Sequence, residues 1–194
     1  MPEQPEFTGP VTGAREAAGA GWRLDDKSDT PKMLVYEDFD DGEPVRTHLG
    51  ISFGASATPA DGVLVCGVRP GEWLLLGERS GSDPPAPGAV TVNLTHGLAM
   101  FRLTGPAARD VLAAVCSIDT SEEMMPDGAV CSTSVARVAC TLVRDDVAGE
   151  RSYLILSQRS SGRYLFDAVR DAGVREPSGR PPSGSAPPGT APQS

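Results

Sequence analysis

Val63-Leu64-Val65-Cys66-Gly67-Val68 and Glu72-Trp73-Leu74-Leu75-Leu76-Gly77, separated by Arg69-Pro70-Gly71, decide the fold. Both flanking runs are short and β-prone. Between them Pro fixes one turn dihedral and Gly supplies a positive φ, the signature of a hairpin. Toward the C-terminus, the runs 90–94 and 98–103 around Thr95-His96-Gly97 predict a second pair of strands. Gly105-Pro106 then opens a helix, with Pro in the first turn where its missing N–H costs nothing. Ala108, Val111, Leu112 and Val115 follow at helical spacing and form one apolar stripe.

Beyond a loop through Pro126-Asp127-Gly128, the Val-, Thr- and Cys-rich run 130–143 predicts two strands or one long bent one, and 152–156 predicts another. Residues 157–161 can cap a last helix whose apolar face is Tyr164, Leu165, Ala168 and Val169, with Gly173 as its stop. About six strands with hairpin connections and two amphipathic helices, without regular strand–helix alternation, indicate an α+β domain with a largely antiparallel sheet.

The domain organisation follows from composition. Residues 176–194 are almost entirely Pro, Ser, Gly and Ala, which cannot bury enough apolar area to offset ordering, so a disordered tail is expected. Residues 1–21 lack sustained periodicity and read as a flexible arm, leaving 22–175 as the folded domain. A unit of roughly 145 folded residues removes about two-thirds of its unfolded surface from water, enough for an unaided core.

The 17 Lys plus Arg against 26 Asp plus Glu give a formal charge of −9, which repels a phosphate backbone, so nucleic acid is not expected as a partner. Cys66, Cys116, Cys131 and Cys140 lack C-x-x-C spacing and lie among apolar or small residues, so they read as reduced, mostly buried thiols. The N-terminus carries neither a basic nor an apolar signal-like stretch, and no run approaches the roughly 18 apolar residues of a membrane span. A cytoplasmic location is the expectation, with no membrane partner.

A search for chemistry finds little. A metal site would have to draw on His48, His96 and scattered cysteines, and no zinc or iron site is expected. Ser52, Ser132 and Ser134 lack a nucleophile-elbow context. The glycines form neither a dinucleotide nor a P-loop fingerprint. The turn 103–109 resembles a phosphate loop, but Pro106 removes an N–H donor, which favours a purely structural helix start. Asp145-Asp146 could bind an amine or a pterin edge, although a solvated hairpin tip is the simpler reading. His96 fits a hydrogen-bonded turn histidine better than an acid–base group, and Trp73, in a run of leucines, fits the core better than a ligand stack. No catalytic, cofactor-binding or metal-binding residue is assigned.

The stretch Leu49-Gly50-Ile51-Ser52-Phe53-Gly54, the run Pro70-Gly71-Glu72-Trp73-Leu74-Leu75-Leu76-Gly77 and the segment from Val92-Asn93-Leu94-Thr95-His96-Gly97 to Arg109-Asp110-Val111-Leu112 occur here in order. Together with Cys116-Ser117-Ile118-Asp119, Pro126-Asp127-Gly128-Ala129 and the closing strand and helix, this order resembles the gamma subunit of heterotetrameric sarcosine oxidase. That family resembles a shortened form of the folate-binding aminomethyltransferase fold of the glycine cleavage T-protein. The resemblance implies an α+β fold and a structural, non-catalytic role beside alpha, beta and zinc-binding delta subunits. Such a complex oxidises sarcosine to glycine and hydrogen peroxide and passes a one-carbon unit to tetrahydrofolate. It implies that FAD, FMN, NAD and tetrahydrofolate belong to the partner subunits, with no cofactor on this chain. A free-standing folate-binding protein or aminomethyltransferase-like enzyme is the alternative. An adaptor that meets a basic partner through its acidic surface is a third reading.

Overall fold

The computed structural model describes residues 9–37, 49–59, 62–79 and 85–175. Among these residues eleven strands form two antiparallel sheets. The first contains β1 (Glu16–Gly19), β2 (Trp22–Asp26), β8 (Leu98–Thr104), β11 (Ser152–Gln158), β10 (Val138–Arg144) and β9 (Val130–Val135), in the order β1-β2-β8-β11-β10-β9. The second contains β3 (Lys32–Tyr36), β4 (Ser56–Ala57), β5 (Leu64–Arg69), β6 (Glu72–Leu76) and β7 (Val90–Asn93), in the order β4-β5-β6-β3-β7. Helix α1 (Ala108–Ala113) and helix α2 (Gly162–Arg175), the latter led by a 3-10 turn over Arg159–Ser161, complete the described elements.

The two sheets stack on each other and the helices cover the outer face of the first. This layering explains why β8 and β11 read as nearly continuous apolar runs rather than alternating ones, since both of their faces are buried. Met100, Leu154 and Leu156 point toward the second sheet and pack with Leu64, Leu74 and Leu76. Their neighbours Phe101, Leu103, Tyr153 and Ile155 point the other way, onto Val111, Leu112, Leu165, Phe166 and Val169 of the helices. There Phe101 and Phe166 meet edge to face at 5.5 Å. The outer face of the second sheet buries Val35, Val65, Trp73 and Leu75 beneath loop residues that include Ile51 and Ala86.

The hairpin from 63 to 77 forms as β5 and β6, with Gly71 at φ 73°. The run 130–143 is two strands, β9 and β10, joined by Ala136 and Arg137, both at positive φ. Three expectations need correction. The runs 90–94 and 98–103 do not pair with each other: β7 pairs with β3 in one sheet, and β8 with β2 and β11 in the other. Gly97 N–H and Leu98 N–H both donate to Leu94 O, so this tight turn hands the chain from one sheet to the other instead of closing a hairpin.

Gly173 does not stop α2, which continues to Arg175. A Cβ there would lie 2.4 Å from Trp22 Cε2, so this glycine is a notch that seats the indole ring. The ring's N–H donates to Gly173 O at 3.0 Å. Nor does a free arm extend to residue 21, because Glu16–Gly19 forms β1 against β2 and Val11 is buried in the core. Residues 1–8 and the expected tail, 176–194, lie outside the described residues.

Candidate functional site

The residues weighed from sequence end up in structural roles. Trp73 is buried and its indole N–H donates to Ile51 O at 2.8 Å. His96 lies in the turn that joins the two sheets, and His48 is outside the described residues. Cys66, Cys116 and Cys140 are buried, Cys131 is partly so, and all four are free thiols. Burial pushes the Cys66 thiol up to about 12 and that of Cys140 up to about 11, the reverse of what a nucleophile needs. Among the described residues no group of three or more His, Cys, Asp or Glu is placed to hold a metal ion.

The turn that resembles a phosphate loop is closed. Gly105 adopts φ 120°, a conformation that disfavours other residues, and a Cβ there would come within 2.5 Å of Gly21 O. That carbonyl accepts the Ala107 N–H at 2.8 Å, while Ala108 N–H donates to Gly105 O. The amides a phosphate would use are thus committed to pinning α1 onto the β1–β2 turn.

The acidic pair is not a solvated hairpin tip. Arg102 Nη2 donates to Asp145 Oδ2 at 2.6 Å, and its Nη1 donates to Asp145 O and Ser152 Oγ. Asp146 receives both Nε and Nη2 of Arg144 and also accepts the Ser152 N–H. The Arg144 guanidinium is buried and further donates to Glu122 Oε2 and Met125 O. This partner holds the Asp146 carboxyl below its usual range. Sequence alone assigns Arg102 and Arg144 no partners. The available signal was an arginine inside each of two apolar strands.

The Arg102–Asp145 pair lines a cavity of about 330 Å³ between the sheets, with Lys27, Thr30, Thr58, Leu64 and Leu154 among its walls. Close by, Lys32 is almost fully buried, and its ammonium donates to Ser28 O at 2.7 Å, Thr30 O at 2.8 Å and Thr95 O at 3.3 Å. Burial draws this amine down to about 8. It ties the segment before β3 to the turn that joins the sheets. The cavity has a charged pair for a polar ring edge but, among the described residues, no aromatic side chain in its walls, and it is small for a folate, since ligand pockets run from about 300 to 1,000 Å³. A pterin ring has nothing to stack against here, so the residues present do not fit that group.

Two stacked antiparallel sheets with helices on one outer face, and polar groups spent on internal pairing, define an α+β domain. The chain belongs to the GCVT N-terminal domain family, whose model matches residues 73–184. A comparison with curated proteins finds no match. Among solved structures, heterotetrameric sarcosine oxidase from Corynebacterium sp. U-96, in complex with pyrrole 2-carboxylate, is similar at 23% identity and a TM-score of 0.64, over 84% of this chain and 87% of that one. The glycine cleavage system aminomethyltransferase T from Bartonella henselae is similar at 15% identity and a TM-score of 0.54, over 75% of this chain and 44% of that one. Among the described residues no helix is long and apolar enough to cross a membrane.

Proposed function

We propose that this chain is a non-catalytic structural subunit of a sarcosine-oxidase-like complex in the cytoplasm. The observation that carries the reading is one of extent: the chain spans 87% of a sarcosine oxidase chain but 44% of an aminomethyltransferase. The internal pairing of Arg102 with Asp145 and of Arg144 with Asp146 supports the same reading, because it spends these charged groups on fixing the chain to itself. The partners are the alpha, beta and delta subunits, and FAD, FMN, NAD and tetrahydrofolate belong to them. The complex demethylates sarcosine oxidatively.

Affinity purification of the tagged chain from its host, with the co-purifying chains identified by mass spectrometry, tests this. Flavoprotein subunits in fixed ratio and a flavin absorption band in the complex are the expected result. A chain recovered alone at every salt concentration overturns it.

A further inference from the structure

Strand β9 is one of the two outer strands of the six-stranded sheet, yet both its ends are already covered by other parts of the chain. At one end Val130 N–H donates to Gly54 O and Ser56 N–H to Gly128 O, an isolated bridge between Ala55 and Ala129. At the other, Ala136 N–H donates to Val115 O, beside a bridge between Cys116 and Val135. These bonds fix which main-chain groups face outward. Positions 130 and 136 donate away from the sheet, while Ala129 O accepts Arg144 N–H on the β10 side, so the even-numbered residues point out.

Among the described residues, the outward amides of Ser132 and Ser134 have no acceptor. The edge therefore has a gap of four residue steps, about 14 Å, flanked by two segments that already pair as a further strand would. A natural edge this open is ordinarily blunted by Lys, Pro or a bulge, and Val130–Val135 has none of these.

Beside the gap lies a second cavity, of about 510 Å³, which Cys131 and Ser132 line together with Ile118, Met124, Met125 and Val130. Met124 is 69% exposed. Among the described residues, the charged groups in the cavity's walls are Asp119 and Asp127, with no Lys or Arg. Asp127 Oδ1 accepts the Asp146 N–H, and Asp119 accepts from both the backbone and the side chain of Ser121, so each carboxylate keeps lone pairs for a cation.

We propose that the gap in β9 and the adjoining cavity form a docking slot for a short extended segment of a partner polypeptide, carrying an apolar side chain flanked by Lys or Arg. The main chain of that segment completes the open rung, its apolar side chain enters beside Met124 and Ile118, and its cation meets Asp119 or Asp127. The chain's own residues 176–194 are a poor occupant, since Pro177, Pro181, Pro182, Pro187, Pro188 and Pro192 remove amides that a ladder needs. The inference deepens the subunit reading and relies on it only for the partner's existence.

The test uses the full chain and a fluorescein-labelled peptide, acetyl-Arg-Val-Met-Val-Arg-amide, followed by anisotropy, with amide exchange of Ser132 and Ser134 read by NMR. The peptide binds and slows exchange at both amides. Met124→Glu, at an exposed position that does not endanger folding, weakens binding about tenfold or more, and so does Ser132→Pro, which removes the outward donor. Replacing both arginines of the peptide by glutamate abolishes binding.

Equal binding to the parent and both variants overturns the proposal. So does slow exchange at Ser132 and Ser134 in the free chain, whether independent of concentration, as for an internal occupant, or rising with it, as for a second copy. Flavoprotein co-purification undiminished by Met124→Glu and Ser132→Pro overturns the slot alone. Peptide binding without any flavoprotein partner overturns the subunit reading alone.

Discussion

Replacing Gly173 by alanine separates two roles that a glycine near a helix end can play. At a solvated helix terminus, alanine would be neutral or would stabilise by up to about 1 kcal/mol through its better helix propensity. Gly173 instead lies inside α2, and its missing side chain makes room for Trp22. A methyl group there would sit 2.4 Å, 2.6 Å and 2.9 Å from the indole atoms Cε2, Cζ2 and Cδ2, so the ring has to move. Overpacking of this kind costs about 1–3 kcal/mol. Moving the ring also strains the bond from its N–H to Gly173 O, and a buried donor left unpaired costs about 1–3 kcal/mol more.

Set against the propensity gain, the net is a destabilisation of about 3 kcal/mol, or roughly 6–12 °C in Tm for a domain of this size. Urea unfolding followed by tryptophan fluorescence measures it. Trp22→Phe alone is destabilising too, but the double variant should be less unstable than the sum, because the smaller ring relieves the clash. Additive penalties, or a Gly173→Ala protein as stable as the parent, would refute the packing argument.

Leu112→Asp puts an unpaired carboxylate at a fully buried position of α1 and should unfold the domain, as far-UV circular dichroism would report. Tyr153→Phe removes a buried hydroxyl that has no hydrogen-bond partner among the described residues, so it should be neutral or stabilising by about 1 kcal/mol in the same urea titration. Arg137→Gly should stabilise by up to about 1 kcal/mol, since glycine takes the φ of 67° at that turn without strain. The Cys66 thiol ionises at 9.0 when ordinary and at about 12 when folded, so the unfolded chain loses its proton first and stability falls as pH rises from 9 to 12. That loss is on the order of 4 kcal/mol, and unfolding titrations across this range should show a shallower slope for Cys66→Val.

What the sequence made legible was what local chemistry decides. Pro70-Gly71 dictated the β5–β6 turn, and the spacing of Ala108, Val111 and Leu112 dictated the buried face of α1. The partition of strands between two sheets was not legible. β7 and β8 are adjacent in sequence and joined by a short turn, and local propensity cannot tell a hairpin from a crossover. The bond from Lys32 N–H to Thr95 Oγ1 reaches across 63 residues to hold that turn. The β9–β10 hairpin was obscured for the opposite reason, because Ala136-Arg137 is not the Asn-Gly type of pair that its dihedrals favour. Gly173 showed the limit of reading glycine locally, since the same residue ends a helix or admits a ring, and Trp22 lies 151 positions away.

The same distance effect explains the candidate site. Asp145 read as solvated because its partner Arg102 lies 43 positions away; Arg144, the partner of Asp146, is two positions away, but Glu122, which shares its guanidinium, lies 22 positions from it. Once folded, these groups hold the end of β10 against β8 and the loop before β9. Asp146, with a guanidinium on both oxygens, is ionised and occupied, suited to fixing a loop and unsuited to taking a proton from a substrate. The slot along β9 is the converse case. Ser132 and Ser134 are unremarkable in sequence, and their outward amides become significant only because residues 54–56 and 115–117 close the edge on either side and leave the middle open. For a chain whose buried charges are spent on itself, the open main-chain groups are where a partner can gain hydrogen bonds without breaking any.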